Sequence, residues 1–304
     1  AIQARTLSGY SAAAVTNSPV GYWRLGEPGG ATTAENVGTA GAKLNGAYSP
    51  AKTDAPGLIA NDSDTAAAFD GSSTQVSGGG ISTAAPGGTN PFDADWTIEG
   101  WFVRDSVTQW SGVFSNNNGS TSAPLMTFID STHQLGINGA GVTANNVSVD
   151  LGQYGGTANP TAYLGKPVYA VITKTGGNGS GTNSITVKAN VDGTWLPTAT
   201  GTTSWNLVPG NGFFIGRHFS GATQILDGTI DEVAIYANDL SPQQMMAHYA
   251  AASLNGYAAK VVSDGPIGYW RLGERPGATT AANSGWAGTV LDGSYNPAGV
   301  GKVN

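Results

Sequence analysis

The chain has 304 residues, of which 39% are hydrophobic and only 11% charged, with 46 Gly, 15 Pro and no Cys. Its net charge is −7 and its 13 Lys and Arg are scattered, so the electrostatic field opposes nucleic acid and anionic membrane as partners. The lack of Cys excludes disulfides, thiolate metal sites and a thiol nucleophile, and no apolar run approaches the roughly 18 residues of a membrane span.

Residues 1–9 read as an extension or linker; they have no apolar signal-peptide core and look like an internal or processed start. A first strand is expected over Val20 to Leu25 and a second near Leu44 to Tyr48. Ala66 to Phe69, the turn dipeptide Asp70-Gly71 and Thr74 to Val76 predict a β-hairpin, because Asp-Gly tolerates positive φ. After a Gly- and Pro-rich loop, Trp96 to Val103 carries bulky apolar residues on both alternating sets, as a strand buried on both faces does. Further strands are expected at Gly112 to Ser115, Pro124 to Ile129, Gln134 to Asn138 and Val168 to Thr173. Ile185, Val187, Ala189 and Val191 alternate with Thr186, Lys188 and Asn190, which gives one core face and one solvent face. Phe213 to Arg217 and Gly228 to Tyr236 complete the strands. One helix then closes the domain: Ser241 caps it, Pro242 fits the first turn, Gln244 completes a capping box, and Leu240 staples onto Met245. Roughly a dozen short strands without βαβ alternation define an all-β, two-sheet antiparallel sandwich with one short C-terminal helix. Trp23, Trp96, Trp101 and Trp270 are assigned to the core.

The heptapeptide GYWRLGE occurs at residues 21–27 and again at 268–274, and Tyr10 to Pro50 aligns without a gap on Tyr257 to Pro297. A repeat this long exceeds the period of roughly 20 to 50 residues in solenoids and propellers, so it is a whole-domain repeat. The organisation is therefore a complete domain over 10–252, a linker at 253–256 and a partial second copy over 257–304. In the complete unit the positions of Trp270, Leu272 and Tyr295 are buried. The partial copy is expected to be ordered through contacts with its own remainder or with a neighbouring copy of the chain.

SPVGYWRLGE, the FDG turn, WTIEGWF, VDGTWL and GTIDEVAIYANDLSPQQMMAHY, in this order, resemble the LamG-like domains of bacterial and phage proteins in the concanavalin A-like lectin/glucanase superfamily. The resemblance implies a jelly roll, use as a non-catalytic glycan- or protein-binding adhesion module, a frequent structural calcium, and an extracellular, cell-surface or virion location. The alternatives are a structural spacer in a fibre or tail and, last, a glycoside hydrolase or polysaccharide lyase.

Hydrolysis by retention needs paired carboxyls about 5 to 5.5 Å apart. No strand here carries the alternating acids of the superfamily's hydrolases, and neighbours Asp231 and Glu232 are expected to point to opposite faces. His133, His218 and His248 lie in unrelated segments and are read as exposed or edge residues, so no catalytic residue is assigned. Asp231 shares its side of the last strand with Val233 and Ile235, which would bury a carboxylate. Two ways of satisfying it stand: backbone N–H groups or Arg24, or a calcium ion. The resemblance implies the ion, with main-chain oxygens from near Glu27 and near Gly71. Aromatics outside the strong strands, Trp110, Tyr154, Tyr163, Trp195, Trp205 and Phe219, are the candidates for stacking on a glycan or docking on a surface protein.

Overall fold

The strand Trp96–Arg104 is apolar on both faces because it runs through the middle of a sheet that is covered on both sides. Ile98 and Phe102 point into the sandwich, whereas Trp101 faces an outer layer built with the helices. The computed structural model describes residues 7, 9–60, 62–81, 95–107, 110–116, 126–128, 133–137, 147–176, 183–203, 212–218, 224–253, 261–262, 264–272, 274 and 278–295.

Among the described residues, nine strands form the larger sheet. Its order is Thr194–Trp195, Asn183–Val191, Val168–Thr175, Trp96–Arg104, Asp227–Tyr236, Thr65–Asp70 and Asp54–Pro56. Gly21–Trp23 adds to the far half of Asp227–Tyr236, with Gly21 opposite Ile235, Tyr22 opposite Ala234 and Trp23 opposite Val233, and Ala199–Thr203 adds to Asn183–Val191. All these pairings are antiparallel. The opposing layer contains a five-stranded sheet, through Gly46–Ser49, Gln75–Gly78 and Phe213–Ile215, and a four-stranded sheet, through Gln134–Ile137 and Val147–Asp150. Ile98, Phe102, Ile172 and Val187 from one layer meet Phe114, Phe128, Ile137, Phe213 and Ile215 from the other in one buried cluster. The expected all-β sandwich, antiparallel and without a barrel, is what the chain forms.

Three local expectations are corrected. The segments on either side of Asp70-Gly71 do not pair as a hairpin: Thr65–Asp70 belongs to the nine-stranded sheet and Gln75–Gly78 to the five-stranded one. The Asp70 carboxylate accepts hydrogen bonds from the backbone N–H groups of Ser72, Ser73 and Thr74, and Gly71 takes φ of +69°, so the turn carries the chain across the sandwich. A second helix, Gly9–Thr16, lies where an extension and linker ended in the sequence reading, and it packs with Pro242–Ser253 on the outer face of the large sheet. Third, the last strand does not keep one alternation. Its register against Trp96–Arg104 shifts between Asp231 and Ala234, and Glu232 takes φ of +54°. This β-bulge sets Asp231 opposite Trp101 on the outer side, while Val233 and Ile235 face the core.

The closing helix starts as its sequence dictates. Ser241 Oγ accepts from the Gln244 N–H and Gln244 Oε1 accepts from the Ser241 N–H, and Leu240 and Met245 are both buried.

The second copy repeats the first in hydrogen bonds as well as in letters. Tyr22 N–H donates to Asn36 Oδ1 and Tyr269 N–H to Asn283 Oδ1. Trp23 Nε1 donates to the Leu44 carbonyl and Trp270 Nε1 to that of Leu291, both at 2.8 Å. Tyr48 donates to Glu27 and Tyr295 to Glu274. The assignment of Trp270 to the core is nevertheless corrected. Trp270 is 43% and Leu272 63% exposed, whereas Trp23 and Leu25 are fully buried.

Candidate functional site

The bulge in Asp227–Tyr236 gathers several carboxylates around one buried guanidinium. Arg24 Nε lies 3.1 Å from Glu232 Oε1, and its Nη2 lies 2.8 Å from Asp62 Oδ2 and 3.1 Å from Asp64 Oδ2. Tyr22 donates its hydroxyl hydrogen to the other Glu232 oxygen. Asp231 Oδ2 accepts from the Leu58 N–H at 2.9 Å, and its Oδ1 is buried without a hydrogen-bond partner. The neighbours Asp231 and Glu232, expected to face opposite ways, thus sit in one electrostatic cluster because the bulge inserts a residue between the two registers. Burial, with the adjacent Glu232 carboxylate, pushes the Asp231 carboxyl well above its ordinary range. Burial raises Glu232 to about 7 against the pull of Arg24. Of the partners that the sequence left open for Asp231, a backbone N–H, that of Leu58, takes one oxygen, while the guanidinium serves Glu232, Asp62 and Asp64.

The expected calcium site draws on main-chain oxygens near Glu27 and near Gly71, and the hydrogen bonds seen at Glu27 and Gly71 are made by other atoms of these residues. Glu27 accepts from Glu35 N–H and from Tyr48. Gly71 donates its N–H to Leu226, and Asp231 is bound to Leu58. Among the described residues no group of three or more His, Asp and Glu side chains is arranged to hold a metal. Asp231 Oδ1 is buried and has no hydrogen-bond partner among the described residues, which suits an ion.

A second buried network joins the sheet to both helices. Glu99 accepts from the hydroxyls of Tyr169 at 2.5 Å and Tyr236 at 2.6 Å, and His248 Nδ1 lies 2.9 Å from it. The other ring nitrogen of His248 meets Asn17 Nδ2, beyond the first helix. Burial alone would lower His248, but the Glu99 carboxylate raises it, and the imidazole in turn holds Glu99 down against its own burial. The reading of the histidines as exposed is corrected: His248 and His218 are both buried, and burial lowers His218 to about 4. Glu99 and His248 stand on a strand and a helix far apart in sequence, so no local pattern announces the pair. The Glu–His–Asn order resembles a catalytic relay, yet Glu99 is fully buried with its oxygens taken by Tyr169, Tyr236 and His248, as in a network that fixes structure.

The candidate binding aromatics divide. Tyr163 is fully buried and accepts a hydrogen bond from Arg104, whose guanidinium lies 3.9 Å from the Phe128 ring, so Tyr163 is a core residue and not a ligand contact. Trp195 is buried against Tyr169 and Tyr249 on the helix side, which likewise gives it a packing role. Trp110 is half-buried with its ring edge-on to His218 at 5.0 Å, and Tyr154 is half-buried with its hydroxyl 3.4 Å from Asp192. These two remain open to a ligand. Trp205 and Phe219 lie outside the described residues.

A laminin G-type family model described as the concanavalin A-like lectin/glucanases superfamily matches residues 77–246, more than half of the chain. The chain belongs to this superfamily. No curated protein sequence matches it. Solved structures similar to it include Trypanosoma rangeli sialidase in complex with 2,3-difluoro-KDN, at 16% identity and a TM-score of 0.47, over 75% of this chain and 32% of that one. A botulinum neurotoxin serotype D/C binding domain is similar at 12% identity and a TM-score of 0.46, over 79% of this chain and 53% of that one. The chain thus spans about a third of the sialidase and about half of the neurotoxin domain. The expected role as an adhesion module, or alternatively a spacer, of a virion or bacterial surface protein is corrected by these findings. The similar structures named are a trypanosomal enzyme and a toxin domain, and what they share with the chain is a fold.

Proposed function

We propose that this domain recognises a saccharide without cleaving it. Membership of a superfamily of lectins and glucanases supports a carbohydrate as the ligand or substrate. The observation that favours binding is the state of the acids buried in the large sheet. Glu99, Asp231 and Glu232 are buried and committed to Tyr, His, Arg and backbone partners, so none is offered to a glycosidic bond. Hydrolysis needs two accessible carboxyls flanking that bond. A sugar would stack its C–H face on Trp110, with Tyr154 as a second surface. Asp231, through its unpartnered Oδ1, supports a structural calcium as part of the proposal; such an ion would neutralise the buried carboxylate.

Glycan-array binding followed by titration calorimetry tests the reading. Trp110→Ala should weaken binding of the best glycan at least tenfold, about 1.4 kcal/mol. Tyr163→Phe, which removes only the hydroxyl bonded to Arg104, should leave affinity unchanged. Release of reducing ends from any bound glycan would show an enzyme instead.

A further inference from the structure

The solvent face expected of Asn183–Val191 is covered at one point. Lys188 Nζ sits 4.7 Å from the centre of the Trp286 ring, which belongs to the second copy, and donates to Thr198 Oγ1 at 2.9 Å. Burial holds the Lys188 ammonium below its ordinary range. Trp286 lies with Lys188 and Trp195, from the sheet, and with Pro242, Met245 and Met246, from the closing helix, around a cavity of about 10 Å³. A gap of that size admits about one water, so the surfaces fit closely. Cation–π and sulfur–aromatic contacts both favour an indole in such a seat.

The rest of the contact is as close. The turn Gly288–Leu291 lies against Thr194–Trp195. A Cβ on Gly288 would stand 3.2 Å from that of Trp195, and one on Gly265 would stand 2.5 Å from Cγ of Gln243 on the closing helix. Both glycines have positive φ, +59° and +68°, so neither position takes a larger residue without strain. Val262 is fully buried in the same apolar cluster as Met246 and Tyr249.

Two of the positions that make these contacts are ones at which the copies differ. At the offset that aligns the repeat, Trp286 stands where the first copy has Thr39, which is exposed, and Gly265 where it has Ser18. The local backbone is nevertheless the same: Thr39 N–H donates to the Pro19 carbonyl and Trp286 N–H to that of Pro266. Positions that serve each copy's own fold are instead identical, Asn36 and Asn283 or Trp23 and Trp270 among them. The fold of the repeat does not need an indole at this turn; the contact with the preceding copy does.

We propose that Trp286 is the anchor of a joint between consecutive copies, which seats the second copy on the Lys188 strand and closing helix of the first and fixes their relative orientation. Domains joined through one chain move independently by default, and a close apolar contact is what suppresses that motion. The partner that this face of the first copy fits is therefore a following copy, with an aromatic ring at the Trp286 position and glycines at those of Gly265 and Gly288.

The absence of Cys from the sequence lets two spin labels be placed without background. In the full chain, labels on Ser184→Cys and Thr280→Cys, exposed strand positions in the first and second copies, report the distance between the copies by double electron–electron resonance. One narrow distance peak is expected, lost to a broad distribution in Trp286→Ala. Lys188→Glu sets a carboxylate over the ring and leaves every residue of the second copy intact, and it should lose the peak as well. A broad distribution in the parent, or a narrow one unchanged by Trp286→Ala, overturns the proposal. If Trp286→Ala broadens the peak and Lys188→Glu does not, the ring acts only within its own copy and the joint is refuted too.

Discussion

Replacing Glu232 by Gln should change the pH dependence of stability in a defined window. Glu232 titrates at about 7 in the folded chain, against an ordinary value of 4.5. A carboxyl raised on folding holds its proton better in the native state, so its contribution is complete below pH 4.5 and is lost as pH rises through 7. At 1.36 kcal/mol per unit the loss is roughly 3 kcal/mol. The wild-type profile alone does not display it, because His218 acts oppositely. Burial lowers that imidazole from 6.5 to about 4, so its contribution is present above pH 6.5 and is lost as pH falls through 4. The difference between Glu232→Gln and wild type removes the part of the imidazole and reports the carboxyl together with its effect on Asp231. Urea unfolding at half-unit steps from pH 4 to 8 should show the two proteins closest at the acid end. The Gln variant should gain steadily to roughly 3 kcal/mol at pH 8. Parallel curves across the window would refute the reasoning.

Arg24→Ala should destabilise the chain by about 3 to 5 kcal/mol, read from urea midpoints, because it leaves Glu232, Asp62 and Asp64 without their shared cation. The Glu99–His248 pair should hold the helices most firmly between about pH 4.5 and 6.5, because Glu99, lowered on folding, loses its contribution as pH falls below 4.5. His248 is raised on folding, so its contribution is complete below pH 6.5 and fades above it, and hydrogen exchange in Pro242–Ser253 should quicken at alkaline pH beyond the intrinsic rate in wild type but not in His248→Gln. Calcium at Asp231 predicts a melting temperature that drops reversibly on chelation and ceases to do so in Asp231→Ala; an unchanged melt removes the ion. Leu25→Ala should cost about 2 to 5 kcal/mol, as for a buried Leu, whereas Leu272→Ala, on the exposed twin position, should cost the monomer little.

The architecture was legible where one period ruled. Alternation along Ile185 to Val191, the two-sided apolar strand from Trp96 and the Ser241–Gln244 box each name a structure that local physics enforces. The helix Gly9–Thr16 escaped because GYSAAAVT has neither a charged first turn nor a clear cap, and its stability comes from burying Tyr10 and Ala14 on the outer layer. The Asp70 turn escaped because Asp-Gly fixes a bend but not which sheet receives the next strand. The charge cluster was half legible. A buried Asp231 and Arg24 as its possible neighbour follow from the sequence, but strict alternation conceals a bulge, and with it the meeting of Asp231 and Glu232. Tyr163 and Trp195 looked like loop aromatics because their burial depends on Arg104 and on the closing helix, partners remote in the chain.

The most direct test of a saccharide-binding, non-hydrolytic domain exposes the wild-type chain to a panel of oligosaccharides. Saturation-transfer NMR and reducing-end release are followed on the same samples. The account predicts ligand signals for at least one glycan, lost in Trp110→Ala, with no new reducing ends on prolonged incubation. Cleavage of that glycan, or no saturation transfer to any of them, would contradict it.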